Sequence, residues 1–187
     1  MINPFNISEI KPIESPLVEL SKGFELLPDR ELNKSLGEKS MGIIPRNGGK
    51  WSGEPGNSTW KPDPEITPSN RNYSNTEGKT WGEILDKYGI EGIHFNNGEP
   101  DFSEISKATV KIDDFSDARY GAGGNFDQAD KKIAQQIGCT KEEVRQWRIE
   151  NNYTWHERSD CKTMDKIPRE IHGNIAHSGG ISKMRNQ

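Results

Sequence analysis

Cysteine, long apolar runs and hydrophobic residues in general are scarce in this chain. Its 187 residues include two cysteines, Cys139 and Cys161, too few to argue a disulfide framework. With no histidine at finger-like spacing, Cys139 reads as a small buried residue. No apolar run approaches the ~18 residues that mark a membrane span, so none is expected. No charged-then-apolar leader precedes a small-residue cleavage site, and no Sec-type signal of its own is expected. The residues AVILMFWYC make up 30% of the chain. Even with glycine added, the apolar share falls below the ~45–50% usual for globular domains, so the core is expected to be confined to part of the sequence. A deaminase signature, His-x-Glu with a later Pro-Cys-x-x-Cys, is absent.

The net charge of −4 is unusual for a chain that binds nucleic acid, but its distribution is uneven. Arg145, Arg148, Arg158, Lys162, Lys166, Arg169, Lys183 and Arg185 crowd the C-terminal part, and local field matters more than net charge in attracting a polyanion. Three of the four histidines, His156, His172 and His177, lie in the same stretch.

Local signals predict an α+β fold. Residues 1–49 read as a linker or docking segment of a larger parent chain, with one apolar cluster at Leu17, Val18, Leu20, Phe24, Leu26 and Leu27. Residues 42–79 are rich in Gly, Pro, Asn and Ser and read as an irregular segment wrapped on the domain by Trp51 and Trp60. Thr80 and Glu83 have capping-box spacing, predicting a helix near 80–88 that stops at Gly89. GIHFNNGEPDFS reads as a short strand and turn, and VKIDDF begins with strand-like alternation. Asn125 is read as the cap of a helix to 137 closed by Gly138. Thr140 and Glu143 form a second capping box for a helix over 141–151. A strand through Trp155, a turn near Asp160, a strand at Thr163–Ile167 and a helix opening at Pro168 follow, since Pro is tolerated at the first helical position. The tail, residues 152–180, thus reads β-β-α, within a domain over 50–187.

That order of elements can set a strand histidine against helix histidines, and neutral imidazole is a common transition-metal ligand. His172 and His177 are five apart, about 140° around a regular helix. Either the helix ends before His177, as Ser178-Gly179-Gly180 suggests, or only one of the two is a ligand. Such a centre suits a single-metal nuclease, with Lys166, Arg169 and Lys183 as cations to hold the phosphate.

The segment TWHERSDCKTMDKIPREIHGNIAHSGG resembles the WHH subgroup of the HNH/endonuclease VII (His-Me finger) nucleases of bacterial polymorphic toxins, of LXG or contact-dependent type. The resemblance rests on Trp155-His156-Glu157, Thr163-Met164…Ile167-Pro168, and His172…His177-Ser178-Gly179-Gly180. The blocks WSGEPGNSTWKPDP, GKTWGEILDKYGIEGI and RYGAGGNFDQADKKIA extend it to roughly residues 50–187. It implies a ββα-metal endonuclease delivered as part of a larger toxin, cutting DNA (RNA is also open) in the cytoplasm of a competing cell. A cognate immunity protein would protect the producer. The metal would be one divalent ion, Mg, Mn, Zn or Ni, on His156, His172 and His177. Glu157 stands where many relatives carry a second histidine, and two assignments follow. In the favoured one, Glu157 is the general base; in the other, His156 is the base and Glu157 or Asp160 joins the metal shell. The HNH asparagine position falls at Lys166, which is assigned a catalytic place. Arg158, Lys162, Arg169 and Lys183 are assigned to substrate phosphate.

Two other classes fit parts of the pattern. His156-Glu157-x-x-Asp160 approaches the His-Glu-x-x-His of zinc peptidases, which requires a helix there. A non-catalytic interaction module would use the histidines in a closed, four-ligand structural site; His94 is read as a surface or turn histidine rather than the missing ligand.

Overall fold

Short antiparallel ladders, each too small to be stable alone, are held here by covering both faces of a central strand. The computed structural model describes residues 42–185; the apolar cluster read at Leu17–Leu27 lies outside them. The fold is mixed α and β with antiparallel sheets, as the sequence predicts.

The first sheet has the order β1 (Gly49–Trp51), β2 (Thr59–Pro62), β3 (Ile93–Asn96), β4 (Glu99–Asp101). Its first two strands correct the expectation of an irregular 42–79. Trp51 faces Trp60 across the β1–β2 pair, the rings 5.3 Å apart, and Trp51 meets Phe95 edge-on at 5.0 Å. Cross-strand aromatic pairing supplies what the polar composition hides. Residues before 50 also take part: Ile44 packs on the core, and the Ile43 N–H donates to Ser178 Oγ.

Between these strands lies α1 (Trp81–Tyr88), with both halves of the Thr80–Glu83 capping box formed and Gly89 left-handed at its C-terminus. The second sheet has the order β5 (Ala108–Lys111), β7 (Thr163–Pro168), β6 (Tyr153–Glu157). Helices α2 (Asn125–Ile137) and α3 (Lys141–Glu150) lie on one of its faces. Gly124, not Asn125, caps α2; the Asn125 side chain is used elsewhere. The chain ends in a single helical turn, α4 (Arg169–His172), and in α5 (Gly180–Arg185). Pro168 is therefore both the last strand residue and the N-cap of α4, one position before the first helical residue.

The central strand β7 is buried along its whole length, because the two cores sit on its opposite faces. Met164 joins Val110, Phe126, Ala129, Ile133, Val144 and Trp155 beneath α2 and α3. Ile167 joins Ile171, Ile175, Phe102, Trp60, Trp81 and Phe95 on the other side. Trp155 on β6 points toward the helices, where its indole N–H donates to Asp130 Oδ1 at 2.8 Å. Arg148 closes the same network with two hydrogen bonds to Asp130, and both residues are buried. Among the described residues no helix is long and apolar enough to cross a membrane.

This network locks the helical layer to the strand that carries His156. Removing one partner of a buried pair strands the other charge, so Asp130→Ala is expected to lower the unfolding free energy by about 3–5 kcal/mol in urea denaturation. Trp155→Phe, which removes only the indole donor, is expected to cost about 1–3 kcal/mol. A loss below about 1 kcal/mol for Asp130→Ala would show that the network does not anchor β6.

Candidate metal centre

Strand alternation fixes what β6 can offer. Trp155 pairs with Lys166 and His156 with Asp165, and successive side chains point to opposite faces. With Trp155 committed to the helices, His156 turns to the other face and lies against Phe102, ring centroids 5.0 Å apart. His172 ends the one-turn α4. The chain then leaves the helix, buries Ile175, and reaches His177 in a loop. The five-residue spacing therefore poses no conflict, because the helix ends at His172. The glycines after His177 explain the return path. A Cβ on Gly179 would come within 2.9 Å of the Glu157 carbonyl, and one on Gly180 within 2.5 Å of the Arg158 carbonyl. Only glycine lets this backbone press so close to the end of β6.

The three imidazoles converge. His156–His172, His156–His177 and His172–His177 centroids lie 5.4, 5.0 and 4.7 Å apart. One nitrogen from each ring falls within 4.8 Å of the others, and His156 Nδ1 is 3.3 Å from His172 Nε2. Two nitrogens at ~2.0–2.1 Å from one tetrahedral zinc would be separated by about the same distance. The His177 Nδ1–H donates to the Ile175 carbonyl at 2.8 Å, which leaves its Nε2 lone pair free. His156 Nε2 is buried without a hydrogen-bond partner among the described residues. Leaving such a group unsatisfied costs about 1–3 kcal/mol; an ion on Nε2 would relieve it, whereas one on Nδ1 would not. Phe102 also lies 6.1 and 5.7 Å from the other two rings, forming a dry wall.

Burial pushes His156 and His172 well below the usual histidine range, and neighbouring cations, including Arg119, add to it. Burial lowers His177 too, against the opposing effect of the Ile175 carbonyl. The neutral form so favoured is the one that coordinates metal. The chemistry of the donor set fits a divalent transition metal.

Residues 92–179 match the family model of the DNase/tRNase domain of colicin-like bacteriocins. That span runs from the start of β3 through all three histidines. This part of the chain is similar to a bacteriocin nuclease. No curated protein matches the chain. The match supports a nuclease toxin domain, a hydrolase acting on nucleic acid, in general terms.

The other residues singled out in the sequence fall in different places. Glu157 follows His156, leaves β6 on the Trp155 face and is held at both oxygens: Oε2 accepts from Arg119 Nε and Nη2 at 2.8 and 2.6 Å, and Oε1 from Asn125 Nδ2 at 2.9 Å, with one acceptor site of Oε1 left over. It lies outside the histidine cluster. Lys166 does not join the histidines either. It faces the helices, its Nζ 5.3 and 5.1 Å from the Trp147 and Trp155 rings, and burial lowers its pKa. β-alternation sends it to the Trp155 face, away from the histidines to which its catalytic place was tied. Asp160 is spent on the turn, accepting from Lys162 N, Thr163 N and Thr163 Oγ1, and lies outside the histidine cluster. Arg158 is paired with Asp165. Arg169 is half-buried, while Lys162 and Lys183 are exposed. His94 stands on β3 beside Thr59, apart from the cluster. Because His156 and Glu157 sit on a strand, the peptidase reading, which needs a helix, fails.

Arg119 and Phe102 were not singled out in the sequence, and Asn125 was read only as a cap. Asn125 also accepts from Ser116 N and donates to Ser116 O, so one buried amide ties the loop before α2 to Glu157.

The depressed histidine pKa values have a thermodynamic consequence. Between the folded pKa values and the ordinary ~6.5, the unfolded chain binds more protons than the native one, so stability rises with pH. Metal-free protein is therefore expected to lose stability as pH falls below about 6.5 and to plateau above it. His172→Gln should flatten that slope in melting experiments; an unchanged slope would contradict the burial of a neutral imidazole there.

Proposed function

We propose that this domain is a divalent-metal-dependent endonuclease of the ββα-metal (His-Me finger, WHH) kind, acting on DNA. The observation that carries the proposal is the convergence of three imidazoles, His156 buried and His172 and His177 half-buried, from a strand, a helical turn and a loop. Among the described residues there are three protein ligands, rather than the four of a closed structural site, which leaves a position open; this favours catalysis over a non-catalytic module.

In this reading His156, His172 and His177 hold the ion. When bound, it supplies Lewis-acid stabilisation to a phosphate oxygen and the leaving oxygen. Glu157 acts as general base, taking the proton of the attacking water. Arg119 and Asn125 fix the orientation of that carboxylate so that little reorganisation is needed. Arg119 is half-exposed and keeps free N–H groups to meet a phosphate. Phe102 excludes water behind the imidazoles. Lys162, Arg169 and Lys183 serve as more distant phosphate contacts. The domain reaches a competing cell as part of a larger toxin and acts in its cytoplasm, with a cognate immunity protein guarding the producer.

Purified protein is expected to nick supercoiled plasmid with Mg, Mn, Zn or Ni, and EDTA should stop it. His156→Ala is expected to abolish cleavage with the fold retained. Intact plasmid and intact structured RNA under all four metals, from folded protein, would defeat the proposal. A second variant separates the two base assignments. Glu157→Gln should keep metal binding and lower the cleavage rate about 10²–10⁴-fold. Full activity in that variant would transfer the role of base to His156.

A further inference from the structure

Next to Arg119, the loop presents an aromatic ring with no evident structural use. Tyr120 is 72% exposed, although an aromatic ring that large is normally placed where its area is buried. It keeps one aromatic contact. It meets the buried Phe126 edge-on, with centroids 5.2 Å apart and planes at 72°. The loop beneath it is pinned at several points: Asn125 N donates to Ala118 O, Phe126 N to Arg119 O, and Gly124 N to Gly121 O, at 2.9, 3.1 and 3.2 Å. Asn125 holds Ser116 from the other side. A Cβ on Gly124 would come within 2.7 Å of the Tyr120 carbonyl, so the loop closes tightly under the ring.

The surroundings carry both signs, since Glu142 is exposed and without an ion-pair partner among the described residues. Tyr120 borders a cleft of about 270 Å³ shared with Phe126, Lys141, Glu142, Arg145 and Arg148. Asp127 and Asp130, which also line it, are paired with Lys141 and Arg148. Arg145 is exposed and has no ion-pair partner among the described residues. On the other side, the Arg119 guanidinium is bound to Glu157, the residue after His156. An exposed aromatic face with one arginine on either side can receive one base of a single strand while the guanidinium groups meet its phosphates.

We infer that Tyr120 is a stacking platform for an unpaired nucleobase adjoining the scissile phosphate, with Arg119 and Arg145 on the flanking phosphates. The inference rests on the nuclease reading and deepens it: the substrate is engaged through a single-stranded or unpaired stretch. Stacking needs the ring face and not the phenol hydroxyl.

The test is binding of the full chain, in EDTA to prevent cleavage, to a single-stranded DNA oligonucleotide carrying 2-aminopurine and to its fully paired duplex. Tyr120→Ala is expected to weaken single-strand binding at least about fivefold and to reduce quenching of the probe, while Tyr120→Phe and Tyr120→Trp stay within about twofold of the wild type. Duplex binding should change less. Single-strand affinity unchanged in Tyr120→Ala would overturn the platform, as would Phe or Trp variants that fail as badly as Ala. Metal-dependent plasmid cleavage by the wild type, run alongside, distinguishes the two levels. Cleavage with an indifferent Tyr120 sinks the platform alone; a wild type that neither binds nor cleaves nucleic acid sinks both.

Discussion

The pairing of β6 with β7 sets the face on which every important side chain in the C-terminal part emerges. Because side chains alternate along a strand, the burial of Trp155 under α2 and α3 obliges His156 to appear on the opposite face. The same alternation carries Lys166 to the helical side. A slip of one residue in that ladder would exchange the two faces. The Asp130–Arg148–Trp155 network guards against such a slip by fixing the indole from the helical layer.

On the far face the fold assembles a cluster that is costly as it stands. Three imidazoles are packed near one another and against Phe102, and one ring nitrogen is left without a partner. Packing alone would be served better by apolar side chains. The first sheet contributes by bringing Phe102 behind the rings, and the glycines at 179 and 180 let His177 return to the strand. Local strain and unpaired polar atoms of this kind tend to collect where a protein binds something, and the neutral imidazoles are in the protonation state that a metal requires.

The parts of this arrangement that were legible in the sequence are those governed by near neighbours. Thr80–Glu83 and Thr140–Glu143 are capping boxes because spacing alone dictates the reciprocal hydrogen bonds. The Trp155-His156 pair announced a strand, and the three histidines announced a cluster. What failed to show depends on distant partners. Asn125 looks like a cap, yet its amide is drawn to Ser116 and Glu157 by the loop closing over it. Gly- and Pro-rich composition concealed β1 and β2, whose stability comes from Trp51, Trp60 and Phe95 meeting across strands. Lys166 seemed suited to phosphate because of its charge, while the ladder register, invisible locally, lays it between two tryptophans. Arg119 carried no signal beyond its place in a glycine-rich loop.

The most direct test of the central claim is a titration of the metal-free chain with Co(II), followed by calorimetry and by the ligand-field bands of the bound ion. One ion per chain, with nitrogen-rich low-coordinate bands in the wild type and loss of the tight site in His172→Ala, is the expected result. Weak binding of several ions with octahedral, water-like spectra, unaffected by that substitution, would show that the three histidines do not form a metal centre.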